Sequence, residues 1–198
     1  MTAEKLSIVR RCGSRRNHGT NASSDDRAGD TVGPSELPAT RTCAVPPAST
    51  SPLELPSLVL DTNVVLDWLL FRNTACDTLN AALVAGDVRW IATAAMREEL
   101  AHVLARGSLA KWRPDLTALW ARWDQHCTEV PAAPALGPSA ALRCSDPDDQ
   151  KFIDLAVTCK ARWLLSHDRA VQRLTRRLRE RGVTVTTPAA WLIPIAAV

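Results

Sequence analysis

The sequence lacks the features that mark several common classes of protein. Its six cysteines include no C-x-x-C pair and no histidine at metal-ligand spacing, so we expect neither a zinc site nor a disulfide framework. Cys76 and Cys159 fall on predicted helix faces and are expected to pack in the core. The 24 basic and 21 acidic residues leave a net charge of +3, which is too small to indicate nucleic-acid binding by itself. Unpaired cysteines suit a reducing compartment, and we expect a cytoplasmic protein.

Residues 1–56 lack the apolar periodicity that would support a core. The segment is rich in Ser, Thr, Pro, Gly and Arg, and we predict that it is a disordered extension. Its early arginines, among them Arg10 and Arg15, are not followed by the apolar run of a signal peptide or a membrane span. A basic arm for RNA is one interpretation. We favour a solvated tail, or upstream sequence included through a misplaced start codon, because a structured pattern begins only at Ser57.

What the sequence does contain, from Ser57 onward, is an alternation of strands and helices. With 46% hydrophobic residues in 198, the chain can bury one good core. The predicted strands are 57–60, 88–92, 128–130, 163–165 and 183–186, and the predicted helices are 64–71, 76–85, 94–105, 116–126, 148–160 and 169–181. This order predicts an α/β fold, a three-layer α/β/α sandwich with a central parallel sheet of four to five strands. We place the domain at residues 57–195.

Two of the predicted strands end close to an aspartate. Leu58-Val59-Leu60 is continuously apolar, as in a strand buried on both faces, and Asp61 follows it directly. The strand 163–165 is followed by Ser166, His167 and Asp168. The carboxyl ends of parallel strands meet at the sheet edge where ligands bind, so both acids are candidates for chemistry. Each is also a possible N-cap of the helix that follows it, and the two interpretations stay open.

Two predicted helices supply further acids. Glu99 lies three residues after Met96 and borders the apolar face of its helix, whereas Glu98 points to solvent. The stretch Asp146-Pro147-Asp148-Asp149 is a standard helix start in which Asp146 is the cap. Asp149 falls on the core-facing side of that helix. A boundary salt bridge for Glu99 and a mere start signal for Asp149 are the alternatives.

Four carboxylates at one sheet edge would repel one another. Two of them about 4 Å apart repel by about 4 kcal/mol at an effective dielectric constant near 20, so such a group requires a cation. Hard oxygen ligands suit Mg²⁺ or Mn²⁺. The candidate catalytic and metal-binding residues are Asp61, Glu99, Asp149 and Asp168.

Four short motifs carry these acids: VLDTN with Asp61 and Asn63, REEL with Glu99, DPDDQKFIDLA with Asp149, and LLSHD with Ser166 and Asp168. In this order and placement the chain resembles the PIN-domain nucleases, in particular the VapC-type toxins of bacterial toxin–antitoxin systems. The resemblance covers Ser57 to about Leu192. It implies that the four acids bind a divalent metal, that Asn63 and Ser166 orient them, and that the activity is cleavage of single-stranded RNA. It also implies a cognate antitoxin as a partner, leaves a homo-oligomer open, and involves no membrane. It assigns no role to His167.

Other functions fit less well. A phosphatase of the haloacid-dehalogenase type, with Asp61 as nucleophile, would need a second aspartate at the position of Asn63. A receiver domain would carry its acceptor aspartate after a later strand. A catalytically silent module that binds RNA or an antitoxin is a further alternative, which the presence of all four acids disfavours. The metal would activate water for in-line attack, so no nucleophilic side chain is needed.

The last predicted helix is crowded with arginines. A run of like charges is usually a solvated helix face. Its alternative is a rim that contacts RNA phosphates beside Asp168. The residues concerned are Arg169, Arg173, Arg176 and Arg177.

Overall fold

The structure is a computed structural model that describes residues 55–133 and 142–192. Almost all of the predicted extension over residues 1–56 lies outside these ranges. So do residues 134–141 and residues 193–195 of the predicted domain.

The elements alternate along the chain as the sequence indicates. The strands are β1 (Ser57–Leu60), β2 (Arg89–Ala92), β3 (Cys127–Glu129), β4 (Trp163–Leu165) and β5 (Thr184–Thr186). The α-helices are α1 (Thr62–Val65), α2 (Asp77–Ala85), α3 (Ala94–Ala105), α4 (Leu116–His126), α5 (Gln150–Thr158), α6 (Arg169–Gln172) and α7 (Thr175–Arg179). Short turns of other helical types are a π-helical turn at Leu66–Leu70 and 3₁₀ turns at Thr74–Cys76, Ala110–Trp112, Pro147–Asp149 and Pro188–Ala190.

The five strands form one parallel sheet in the order β3-β2-β1-β4-β5. In its register Leu58 lies opposite Trp90 of β2 and Trp163 of β4. β1 is therefore the central strand, and all of its residues are buried, which accounts for its continuously apolar sequence. With helices flanking this sheet, the predicted three-layer α/β/α class is confirmed, and residues 55–133 and 142–192 contribute five strands to it.

Several element ends follow from local sequence chemistry. α3 and α4 begin and end at the predicted residues. The Asp115 carboxylate accepts a hydrogen bond from the Ala118 N–H at 3.0 Å and caps α4. Gly86 ends α2 with φ of 73°, a left-handed conformation that favours glycine. Thr93 occupies the N-cap position of α3, but its side chain makes no capping hydrogen bond.

Three predictions about local structure are wrong. The helix predicted at 64–71 is α1 followed by a π-helical turn, closed by a hydrogen bond from Phe71 N to Leu66 O at 2.9 Å. The helix predicted at 169–181 is two helices, because Leu174 N bonds to Val171 O and tightens the chain between them. Apolar spacing did not reveal either change, since an i,i+3,i+4 pattern tolerates one turn of π or 3₁₀ geometry. Cys159, predicted to pack in the core, is exposed.

Tryptophans fill the core on one side of β2. The Trp90 ring packs edge-on against Trp68 of the π-helical turn at 5.8 Å and against Trp123 of α4 at 4.6 Å between centroids. All three side chains are buried. We call Trp68, Trp90 and Trp123 the tryptophan cluster. Edge-to-face packing of this kind adds to the gain from burial, and it fixes α4 and the π-helical turn to the sheet.

Candidate active site

The first residues beyond β1 and β4 continue the pairing of the sheet. Asp61 N donates to Leu165 O at 3.0 Å, and Ser166 N donates to Thr186 O at 3.0 Å. This extended ladder holds Asp61 and Ser166 side by side at the carboxyl edge. The Ser166 hydroxyl donates to Asp61 Oδ2 at 2.6 Å, so the two predicted residues are in direct contact.

Asp61 is both a helix cap and a buried carboxylate. Its side chain is 2% exposed, and Oδ1 accepts from Asn63 N at 3.3 Å at the start of α1. The Asn63 amide donates to Oδ2 at 3.3 Å. Burial raises the pKa of Asp61, the hydrogen bonds from Ser166 and Asn63 lower it, and the charge of Asp168 raises it further. The capping role proposed as an alternative is real, but it accompanies an unfavourably buried charge.

Asp168 is linked to Asp61 through hydrogen bonds to the same serine. Its N–H donates to Ser166 Oγ at 2.9 Å, while Ser166 donates to Asp61. The Asp168 carboxylate accepts from Ala170 N at 2.6 Å and caps α6. Ser166 is fully buried, so one hydroxyl fixes the relative positions of the two aspartates.

Asp149 lies next to the other acids at the start of α5. It ends the 3₁₀ turn ahead of α5, half-buried, while Asp146 caps that turn as predicted by accepting from Asp148 N at 3.0 Å. Burial raises the pKa of Asp149 to about 8, and the charges of Asp61 and Asp168 are the next largest causes, followed by those of Asp146 and Glu99. Within the described ranges, Oδ2 of Asp149 is buried without a hydrogen-bond partner.

Glu99 reaches the same neighbourhood from α3. It is half-buried, whereas Glu98 is exposed, as helical phase predicted. Burial raises the pKa of Glu99, the ion pair with Lys151 lowers it, and the charge of Asp61 raises it. The Lys151 ammonium lies 2.7 Å from Glu99 Oε2. Glu99 therefore forms the salt bridge that was its alternative interpretation, with a partner, Lys151, that the sequence did not identify.

The structure brings the four predicted acids into one electrostatic group, because each of Asp61, Glu99 and Asp149 has its pKa raised by at least one of the others. We call Asp61, Glu99, Asp149 and Asp168 the acid cluster. Its donors are hard carboxylate oxygens, and one of them, on Asp149, is buried without a hydrogen bond. That chemistry fits Mg²⁺ or Mn²⁺. As placed, no group of three or more His, Cys, Asp or Glu side chains in the described residues is close enough to hold a metal ion, so the cluster would have to draw together around one.

Two residues beside the acid cluster escaped the sequence analysis. Asp67, in the π-helical turn, is fully buried, and its Oδ2 lies 3.1 Å from His167 Nε2. His167, to which no role was assigned, therefore joins the π-helical turn to the loop that carries Ser166 and Asp168. A signal was present, since Asp67 interrupts the apolar run Val64-Val65-Leu66-Asp67-Trp68. A charge at such a position is rarely buried without a partner.

The predicted arginines lie on the surface after Asp168. All four are exposed, and Arg176 Nε is 3.7 Å from Glu180 Oε1. The residues are Arg169 and Arg173, at the start and end of α6, and Arg176 and Arg177 in α7. Exposure leaves both interpretations open, a solvated helix face or a surface for phosphates.

The comparisons agree with this architecture. No helix within residues 55–133 or 142–192 is long and apolar enough to cross a membrane. A comparison with curated proteins finds no match. The family model of the PIN domain matches residues 57–170, more than half of the chain, and includes all four members of the acid cluster. The chain therefore belongs to the PIN-domain family, whose members are generally nucleases acting on nucleic acid.

Proposed function

We propose that this protein is a metal-dependent endoribonuclease that cleaves single-stranded RNA. The observation that carries the proposal is the grouping of carboxylates at the carboxyl edge of the sheet, where the Ser166 hydroxyl donates to Asp61 at 2.6 Å and accepts from Asp168 N at 2.9 Å. The raised pKa of Asp149, caused by burial and then by the charges of Asp61 and Asp168, agrees with it. Buried like charges at the carboxyl edge of a parallel sheet are costly for folding alone. They are useful where a divalent cation and a phosphodiester must be bound.

The acid cluster would hold the metal. Asp61, Glu99, Asp149 and Asp168 offer carboxylate oxygens, which suit Mg²⁺ or Mn²⁺. When bound, such an ion supplies Lewis-acid stabilisation of the charge that develops on the phosphodiester and activates water for in-line attack. No side chain of the protein needs to act as the nucleophile.

The neighbouring residues orient the cluster and hold its protons. Ser166 and Asn63 donate to the two oxygens of Asp61, which fixes the carboxylate plane. Burial raises the pKa of the Asp149 carboxyl group to about 8, so the cation-free protein would hold a proton on this group at neutral pH. These residues prepare the site, and their contribution is positional.

RNA would approach over the arginines that follow Asp168. Exposed guanidinium groups attract phosphates through charge, and such contacts do not recognise the base sequence. We propose that Arg169, Arg173, Arg176 and Arg177 contact the backbone of the substrate. Because Asp168 directly precedes Arg169, such contacts would lie next to the acid cluster.

The biological role we propose is that of a cytoplasmic toxin in a toxin–antitoxin pair, with residues 57–195 as the nuclease domain. The support is the resemblance of the motifs around the acid cluster to those of VapC-type toxins. Induced expression should arrest growth of a bacterial host, whereas expression of the Asp61→Asn variant should not. Growth arrest by both proteins would contradict a role that depends on RNA cleavage.

The direct test is cleavage of a defined panel of single-stranded RNAs by the purified full chain. Products should appear with Mg²⁺ or Mn²⁺ and disappear with EDTA, since the acid cluster supplies no nucleophile. Cleavage that survives EDTA would overturn the proposal. RNA binding without cleavage in any metal would favour the silent binding module, and release of phosphate from a phosphomonoester alone would favour the phosphatase.

Two adjacent glutamates provide a matched control. Glu99 is half-buried in the acid cluster and Glu98 is exposed one residue away on the same helix. Glu99→Gln should reduce kcat by about tenfold to a hundredfold or more, as expected for a residue that holds an essential group, while Glu98→Gln should retain most activity. The reverse ranking would show that Glu99 is not part of the active site.

A further inference from the structure

A lysine stands within the acid cluster. Lys151 belongs to the first turn of α5, two residues after Asp149, and its Nζ lies 2.7 Å from Glu99 Oε2. The Lys151 and Glu99 side chains are 31% and 28% exposed, so this ion pair is neither fully solvated nor fully buried. Its location differs from that of an ordinary surface salt bridge because the acid is one we assign to metal binding.

The ammonium group is fixed from more than one side. Besides its contact with Glu99, Nζ donates to the Asp148 carbonyl oxygen at 2.7 Å. It also lies 5.1 Å from the centroid of the Phe152 ring, within the range of a cation–π contact. Phe152 is buried in the core. A long flexible side chain is thereby held in one position over the cluster, at a cost in side-chain entropy that a solvated lysine avoids.

Lys151 and a divalent cation have opposite requirements at Glu99. A metal ion coordinates a carboxylate oxygen at about 2.0–2.1 Å, and an ammonium 2.7 Å from the same oxygen would lie next to it as a like charge. The metal ion and the ammonium group therefore cannot both contact Glu99 Oε2. When a metal ion binds this oxygen, the Lys151 ammonium must move away, and its flexible side chain allows this movement.

We propose that Lys151 is an internal counter-ion that holds Glu99 in the cation-free protein and must release it before a divalent cation binds. Lys151 is in this sense a positioning residue. It stabilises the charge of Glu99 in the cation-free protein, and it lowers the affinity of the acid cluster for a divalent cation. The inference rests on the proposed metal-dependent function.

The test is a titration of the full chain with Mn²⁺ alone, without RNA, followed by electron paramagnetic resonance of free Mn²⁺. Lys151→Gln and Lys151→Met should both bind Mn²⁺ about fivefold more tightly than the unchanged protein, the upper end of what breaking a partly exposed ion pair costs. The methionine variant retains the apolar stem next to Phe152, and so provides a second result if the glutamine variant folds poorly. Lys151→Arg, which keeps the charge, should stay close to the unchanged protein.

Lys160→Gln is the matched control, because it removes the same charge from an exposed residue just beyond the far end of α5. It should leave Mn²⁺ affinity within about twofold, since an exposed charge outside the site is largely screened. Unchanged or weaker Mn²⁺ binding by both neutral Lys151 variants would overturn the role of Lys151 alone. Absence of Mn²⁺ binding in every protein, including the unchanged chain, would instead overturn the proposed metal-dependent function.

Discussion

The tryptophan cluster and the acid cluster are both buried beside the central strands, yet burial has opposite consequences in the two. Around Trp90, burial removes a large apolar surface from water, which is worth roughly 25 cal/mol for each Å². Around Asp61 and Asp149, burial raises the pKa of both carboxyl groups, which means that the ionised forms are destabilised. The tryptophan cluster stabilises the fold and the acid cluster destabilises it, as expected where a fold carries a reactive site.

The sharpest way to test this contrast is Asp61→Asn. Cleavage should fall by at least about a hundredfold, the effect typical of losing a group that organises catalysis. Stability without metal should be unchanged or higher, because the asparagine Oδ1 can still accept from Asn63 N. Its amide N–H can donate to the Ser166 hydroxyl oxygen in place of the present bond from Ser166, and the buried charge is gone. RNA cleavage and a thermal melt in EDTA measure the two quantities. A midpoint lower by several degrees would mean that Asp61 is mainly a structural cap.

The converse change is Trp90→Ala. Removing a fully buried indole should lower the free energy of unfolding by about 3–5 kcal/mol, because the rings of Trp68 and Trp123 lose their shared partner. The folded fraction should retain its turnover, since Trp90 contributes no group to the acid cluster. Denaturant unfolding and activity corrected for the folded fraction provide the comparison. Loss of turnover in fully folded protein would show that the two regions are not separable.

The pH dependence of stability should report on the acid cluster. Burial and like charges raise the pKa of Asp149 to about 8, so the folded protein binds a proton there that the unfolded chain releases near its ordinary pKa of about 4. Between about pH 4 and pH 8 the folded state therefore holds more protons than the unfolded state, and stability falls as pH rises. The fall ends above about pH 8, where the carboxyl group is ionised in the folded protein as well. Asp61 and Glu99 act in the same direction.

Melts of the metal-free protein between about pH 6.5 and 7.5 report mainly this effect, because that range lies at or above the ordinary pKa of histidine and below that of cysteine. At higher pH the thiols of Cys76 and Cys127, whose pKa burial raises to about 12, lower stability in the same direction. The pKa of His126 is lowered by burial and by Arg122, so its opposing contribution is confined to lower pH. The midpoint should decline with pH in the unchanged protein and decline less in Asp149→Asn. Added Mg²⁺ should raise the midpoint most at the alkaline end, and a midpoint that is flat or rises with pH without metal would contradict the cause assigned to the Asp149 shift.

Most of the fold was predictable because its signals are local. The apolar run before Asp61, the cap at Asp115 and the glycine at Gly86 each act within a few residues, and the sheet class follows from the alternation of elements. The π-helical turn and the break before α7 were not predictable. Both preserve the apolar spacing on which the helix predictions rested.

The site divides in the same way. Strand ends and helical phase led to the prediction of Asp61, Glu99, Asp149 and Asp168 among 21 acidic residues. The structure brings these four into one electrostatic group, and their catalytic role stays a prediction. Lys151 and Asp67 were missed because their partners, Glu99 and His167, are distant in sequence. Asp154, to which the sequence analysis gave no role, is buried and accepts from Gln150 at 2.8 Å. Such contacts depend on how helices dock on the sheet, which a single sequence does not encode locally.

The smallest effect should come from removing the chain before Leu55. β1 begins at Ser57, and the Pro56 carbonyl accepts from Arg89 N at 3.0 Å, so a chain that starts at Leu55 keeps every backbone bond of the central strand named here. It should melt within about 2 °C of the full chain, a difference below 1 kcal/mol for a protein of this size, and turn over saturating RNA at the same rate. RNA affinity should differ only at low salt, through the early arginines, and that difference should vanish as salt is added. A chain that starts at Leu58 is the control: it lacks the Pro56 and Ser57 carbonyls that accept from Arg89 and Arg162, and should be clearly less stable. If the chain that starts at Leu55 loses metal-dependent turnover at low salt and high substrate, the domain boundary proposed from the sequence is wrong.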